Sequence, residues 1–248
     1  MSDHTQESIF PFSSEKTRVQ PLSKTFMSSV FMWMFVALGL STVTAYLFSQ
    51  NQYLLSYLIN AEAGKLNTLG WGVMLAPLGF VMLMSLGYQR LAGPVIAALY
   101  MVYAAINGIS FSFILLAYTS ASIITCFASA AVMFGVMGFM GYTTNKDLSS
   151  MGRILSMAVI GIVVAMIINF FARSSQLDYI VSIVGVIVFT GLAAWDVQKL
   201  KLIGAGLDME GNQTEADVKK LSIMGALTLY LDFVNLFLFL LRLFGRRK

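Results

Sequence analysis

Charge is scarce in this chain. Only 11% of its 248 residues are Asp, Glu, Lys or Arg, against about 25% in an average soluble domain. So few charges cannot cover a water-facing surface, which excludes an ordinary soluble fold; lipid removes that demand. Cysteine occurs once, as Cys126 in an apolar run, so no intrachain disulfide can form. Histidine also occurs once, as His4 in a polar stretch. That argues against a catalytic histidine, a His-based metal site and a Ser-His-Asp triad, and the chain reads as a non-enzyme with no cofactor and no resident metal. Proline is rare (4), while glycine (20) and methionine (16) are plentiful, which suits long packed helices. No short apolar region with a cleavage site stands at the start, so a signal peptide is not expected.

What is abundant is apolar sequence: 58% of the residues are hydrophobic, against about 45–50% on average. The apolar runs are each long enough to cross roughly 30 Å of hydrocarbon. They predict spans at Phe26–Phe48, Trp71–Tyr88, Pro94–Ala117, Ser120–Tyr142, Ile154–Ala172, Tyr179–Gln198 and Leu221–Phe244. Helices are required, because an isolated strand leaves its backbone groups unpaired in lipid. A barrel is excluded, because the runs are continuous rather than alternating. The expectation is an all-α membrane protein of seven transmembrane helices, with a polar tail at 1–24 and the membrane domain at 25–248. The segment Ser49–Gly70 carries Tyr53, Leu54, Tyr57, Leu58 and Ile59, a stripe suited to the membrane interface. Lys199–Lys220 reads as a polar loop.

The net charge of +4 sits at segment ends, a membrane-orientation pattern rather than a nucleic-acid-binding one. With the N-terminus inside, the inner tail and loops hold Lys16, Arg18, Lys24, Arg90, Lys146, Arg153, Lys199, Lys201, Lys219 and Lys220. The outer loops hold Lys65 and Arg173. The basic C-terminus, Arg242 to Lys248, then falls outside against the trend, unless the last helix is re-entrant.

Two acids lie within apolar runs, Asp196 and Asp232. A carboxylate facing lipid costs a few kcal/mol or more, so each should face the bundle interior or a watered cavity. Arg90, at the end of the second span, shares a membrane face with Asp196, and an Arg–Asp–Asp cluster follows as an expectation. Two carboxylates at one site oppose each other's ionisation, and an arginine relieves that. The alternatives are plainer: Asp196 pairing with Lys199 or Lys201 at the interface, Asp232 serving structure alone, and Arg90 marking orientation alone. Asn107, Asn169 and Asn235 are intramembrane amides suited to interhelical hydrogen bonds. Asn107, Asn235 and Tyr230 are supporting polar candidates. Gly135, Gly138 and Gly141 recur every three residues, as at close helix contacts. Asp208-Met209-Glu210-Gly211-Asn212 hints at a calcium loop but fails the EF-hand pattern, with Gln213 and Lys219 where Gly and Glu are needed. There is no Walker loop and no His-Glu-x-x-His.

Phe189-Thr190-Gly191-Leu192-Ala193-Ala194-Trp195-Asp196-Val197-Gln198-Lys199 resembles the sixth-helix signature of the transmembrane Bax inhibitor motif family. Leu227-Thr228-Leu229-Tyr230-Leu231-Asp232-Phe233-Val234-Asn235-Leu236-Phe237, followed by Leu240-Leu241-Arg242, resembles its seventh-helix signature, and Asn107-Gly108-Ile109-Ser110 also fits. In size and loop pattern the chain is similar to bacterial YccA-like members. The resemblance implies two groups of three helices around a central seventh, and a pH-sensitive calcium leak. It implies a latch of Asp196 and Asp232, engaged by Arg90. Some relatives carry an acid in the second helix; the region around Gly79 has none. The expected partners are the lipid bilayer and the calcium ion, in a bacterial cytoplasmic membrane with the N-terminus cytoplasmic. The competing reading is a non-conducting regulator that binds a membrane protease or another membrane protein. An intramembrane aspartyl hydrolase fits poorly, because neither acid has the glycine-flanked motif expected by analogy.

A buried thiol in an apolar run packs as a small hydrophobe. Cys126→Ala is therefore expected to leave calcium flux into liposomes unchanged; loss of flux from a folded variant would refute this.

Overall fold

A computed structural model of the chain describes residues 22–60, 65–210 and 214–248. The polar tail expected over residues 1–24 lies outside them except for its last three residues, which open the first helix. The elements are α1 (Leu22–Gln50), α2 (Gln52–Ser56), β1 (Ile59–Asn60), β2 (Lys65–Leu66), α3 (Thr68–Gly87), α4 (Gly93–Ala117), α5 (Ser120–Thr143), α6 (Ser149–Ala172), α7 (Ser175–Glu210) and α8 (Glu215–Phe244). Seven of the helices, all but α2, are long and apolar enough to cross a membrane, and the protein is an integral membrane protein.

Local chemistry sets the ends. Asn67 caps α3 by accepting from the Gly70 N–H at 2.8 Å, and Thr119 caps α5 through Ser122. Thr214 and Asp217 bond reciprocally at the start of α8, satisfying donors that a helix leaves orphaned. The α6–α7 turn passes through Arg173 in the left-handed region, at φ 50°. There the Asn169 side chain accepts from the Ser174 N–H at 2.9 Å. Asn169 thus ties its own turn, rather than bonding between helices in the membrane.

Two boundaries differ from the sequence reading. The segment read as a polar loop from Lys199 is mostly helix: α7 continues to Glu210, because no proline interrupts it and its polar side chains are in water past the membrane. The 49–70 connection is not a continuous interfacial stripe. It folds as short α2 and a two-residue antiparallel hairpin pairing Ile59 with Leu66 and Asn60 with Lys65. The calcium-loop hint falls partly outside the described residues, and Asp208 instead accepts the Ser23 N–H.

The helices form two groups of three, α1–α3–α4 and α5–α6–α7, around α8. The gradient of burial fixes the centre: 72% of the apolar stretch of α8 is buried, against 11% for α3 and 6% for α6. α7 runs antiparallel to α8, with Phe189 stacked on Phe239 at 5.8 Å. Without a water-driven hydrophobic force, helices in lipid associate by close fit at small residues. Gly108 of α4 lies on the backbone of Ser41 in α1, Gly141 of α5 on the backbone of Ala194 in α7, and Gly152 of α6 on the Trp195 ring. Of the three-residue glycine series in α5, only Gly141 makes such a contact. Gly138 meets Val197 at ordinary distance, and Gly135 faces open space.

Two faces follow. The start of α1, the α3–α4 and α5–α6 turns, the end of α7 and the start of α8 share one. The α4–α5 and α6–α7 turns and the C-terminus share the other. α8 is not re-entrant. Its end docks on the α4–α5 turn, where Thr119 donates to the Arg246 carbonyl and the Lys248 N–H donates to that of Ala117. Arg242 pairs with Asp178 at 3.8 Å.

A Cβ at position 108 would collide with backbone that cannot rotate away. Gly108→Ala is expected to cost about 1–3 kcal/mol, while Gly135→Ala should be near neutral. Thermal melts of the purified variants in detergent measure the contrast; equal melting would overturn it.

Candidate functional site

α7 and α8 bring the two intramembrane acids together. Asp196 and Asp232 are each 5% exposed, and their side chains lie beside each other. At 1.5 Å per residue, Asp196 lies roughly 20 Å along the axis from the end of α7, and Asp232 roughly 25 Å from the start of α8. Both are therefore well inside the helices rather than at their ends. Asp232 Oδ2 is buried with no hydrogen-bond partner among the described residues, and the neighbouring acid is the polar group beside it. Two carboxyl groups can hydrogen-bond only with a proton between them. When that proton is lost, two like charges are left in contact in a medium of low dielectric, where repulsion is strong.

The surroundings add one cation. Lys199, a turn beyond Asp196, is the nearest positive group acting on it, and its ammonium rests 5.1 Å from the centre of the Trp195 ring. Gln198 clamps the neighbouring α5–α6 turn. Its Oε1 accepts the Leu148 N–H at 2.9 Å and its Nε2 donates to the Lys146 carbonyl at 2.7 Å. In the same turn Asp147 accepts from the hydroxyl and N–H of Ser149, which hold its carboxyl below the usual carboxylate range.

Arg90 is not brought to the acids. It is exposed in the turn after α3, and among the described residues it makes no ion pair. The physical reason is that α3 packs on α4 and not on α7. Its end meets the start of α8, where the Lys220 ammonium lies over Tyr88 at 4.6 Å. Sharing a membrane face with Asp196 therefore did not put Arg90 beside it.

Asn107 and Tyr230 meet each other, but away from the acids. Tyr230 OH accepts from Asn107 Nδ2 at 2.9 Å and lies 2.8 Å from Ser41 Oγ. Ser41 Oγ also donates to the Ala104 carbonyl at 2.7 Å, and Asn107 Nδ2 reaches Tyr103 OH at 3.3 Å. This buried network joins α1, α4 and α8, and sequence reasoning missed Ser41, since a lone serine in an apolar helix carries no signal. Asn235 joins neither cluster. It is half-buried and lines a cavity of ≈ 670 Å³ with Leu231, Phe239 and residues of α6. Thr190 Oγ1, also missed, is buried without a partner among the described residues. No group of three or more His, Cys, Asp or Glu side chains placed to hold a metal occurs among the described residues.

A family model described as inhibitor of apoptosis-promoting Bax1 matches residues 23–248. The inner membrane protein YbhL of Escherichia coli K12 is 41% identical over 239 residues, 96% of this chain and 99% of that protein. An uncharacterised protein of Deinococcus radiodurans is 42% identical over 224 residues, 90% of this chain and 91% of its own length. One from Rickettsia prowazekii is 37% identical over the whole of both chains.

Removing the Tyr230 hydroxyl takes from the buried Asn107 amide the shorter of its two hydrogen bonds. Tyr230→Phe is expected to cost about 1–3 kcal/mol while leaving the carboxyl pair in place; an unchanged melting temperature would show that the network contributes nothing.

Proposed function

The chain belongs to the family of inhibitors of apoptosis-promoting Bax1, and from that premise we propose that it is a pH-gated leak pathway for calcium, switched by Asp196 and Asp232. One observation carries the reading: two buried acids from different helices lie side by side inside a membrane bundle. Ionisable residues within spans are costly and mark ion or proton pathways. With one shared proton the carboxyls join α7 to α8. Without it they repel, the helices are pushed apart, and the same two carboxylates become ligands for a passing divalent cation. Calcium favours oxygen ligands of this kind. The latch in this conformation needs no arginine, so the proposal gives Arg90 no part in it.

Orientation follows the same reading. The face holding the start of α1 carries Lys24, Arg90, Lys146, Arg153, Lys199, Lys201, Lys219 and Lys220. The opposite face carries Lys65, Arg173, Arg242, Arg246, Arg247 and Lys248. The tail before α1 adds Lys16 and Arg18. The excess supports a cytoplasmic start for α1.

The test is calcium flux into liposomes containing the purified chain, measured across a pH series. A coupled pair titrates in two apparent steps. Asp196→Asn and Asp232→Asn each leave a single acid and are expected to collapse the profile to one step or flatten it, while Arg90→Ala keeps the wild-type profile. Wild-type pH dependence in both aspartate variants would move the switch elsewhere. Absence of flux from the wild-type chain would favour the non-conducting regulator.

A further inference from the structure

Between α1 and α5 the bundle stands open. Both helices pack on α8 but hardly on each other, which leaves a cleft with α8 as its floor. Three adjoining cavities trace it. The first, ≈ 420 Å³, lies near the start of α1 and is bounded by Lys24, Ser28, Phe31 and Tyr142. It meets a second, ≈ 610 Å³, at Phe31, Gly138 and Phe139. That one meets a third, ≈ 390 Å³, at Leu38, Thr42, Phe127 and Phe233. From Lys24 to Tyr46 the cleft follows α1 for roughly 33 Å at 1.5 Å per residue, about the thickness of a hydrocarbon core.

Its chemistry is lopsided. The long body is apolar, and the hydroxyls along it are already engaged: Thr42 donates to the Leu38 carbonyl, and Ser41 bonds Ala104 and Tyr230. Two glycines keep it wide, since a Cβ on Gly39 or Gly135 would meet no atom within 4 Å. At the far end the Lys248 ammonium is tied to the Leu115 carbonyl at 2.9 Å, and two lysines stand at the opposite mouth. Lys24 lines that mouth, and the Lys201 ammonium is held there by the Tyr142 carbonyl at 2.7 Å, over the Tyr142 ring. A lysine so held keeps two N–H donors for a ligand. Along the rim Phe35, Val43, Ile124, Val132 and Phe139 are exposed, so the cleft opens sideways into lipid.

We propose that this cleft is a binding site for one anionic phospholipid, with an acyl chain along the α8 floor and the headgroup phosphate at Lys24 and Lys201. An amphiphile with one negative end and a long apolar body matches the length of the cleft and the mouth held by two lysines. Basic side chains at headgroup level attract anionic lipid, and lysine stems lie on apolar wall while the ammonium stays at the interface. The site is separate from the carboxyl pair, although its floor residue Phe233 adjoins Asp232, and it stands whether or not the chain conducts calcium.

The test is native mass spectrometry of the full chain, released from vesicles of equal phosphatidylglycerol and phosphatidylcholine. The wild-type chain is expected to retain one phosphatidylglycerol in preference to phosphatidylcholine by about thirtyfold, for two lysines near the surface. Gly135→Phe fills the cleft and should lose the retained lipid. Lys24→Gln with Lys201→Gln should still retain lipid, but without headgroup preference. Because both lysine changes lie at the mouth, that variant tests the site even where Gly135→Phe does not fold. Wild-type chain that holds no lipid, or holds both kinds equally, overturns the proposal. So does a folded Gly135→Phe that retains lipid as wild type does. A dimer that Gly135→Phe dissolves would assign the cleft to a second copy of the chain instead.

Discussion

A carboxylate in hydrocarbon has no water to solvate it, and much of this architecture follows from that constraint. Asp232 sits in an apolar helix, and a position facing lipid would cost a few kcal/mol or more. The helix that carries it is the most enclosed of the bundle. α7 is the second most enclosed and brings Asp196 against it. The neighbour is a second acid rather than a base.

α8 is also the common wall for the rest. One of its faces meets α7 through the acids and the Phe189–Phe239 stack. Another meets α1 and α4 through Tyr230, Ser41 and Asn107. The second contact is made by hydroxyl and amide groups and ties α8 to the α1–α4 group. Together they tie α8 to both groups of three.

The outer helices obey a different economy. α3 and α6 each hold to one neighbour, and their outward faces show Leu78, Leu86, Ile160 and Phe171 to lipid. Close fit replaces the hydrophobic effect there, which explains why Gly141 and Gly152 lie against Ala194 and Trp195 of the motif-bearing helix. Where the fit is absent, between α1 and α5, lipid is the natural filling.

The sequence by itself determined the membrane class, the seven spans and the two acids, because hydropathy and the cost of buried charge are one-dimensional signals. Through its motifs it also pointed to the family. Other features only the tertiary structure decided. Arg90 stood on the right face by topology yet lies away from Asp196, since which helices touch is not written in hydropathy. Ser41, Gln198 and Thr190 carry no signal until their neighbours are placed. Gly135, Gly138 and Gly141 look alike along the chain, yet one is a contact and one an opening, because α5 turns only part of its surface toward α7. The C-terminal charges contradicted the orientation count, and their hydrogen bonds to the α4–α5 turn hold that end in place. Spacing along a helix fixes which side chains share a face; only packing fixes what that face meets.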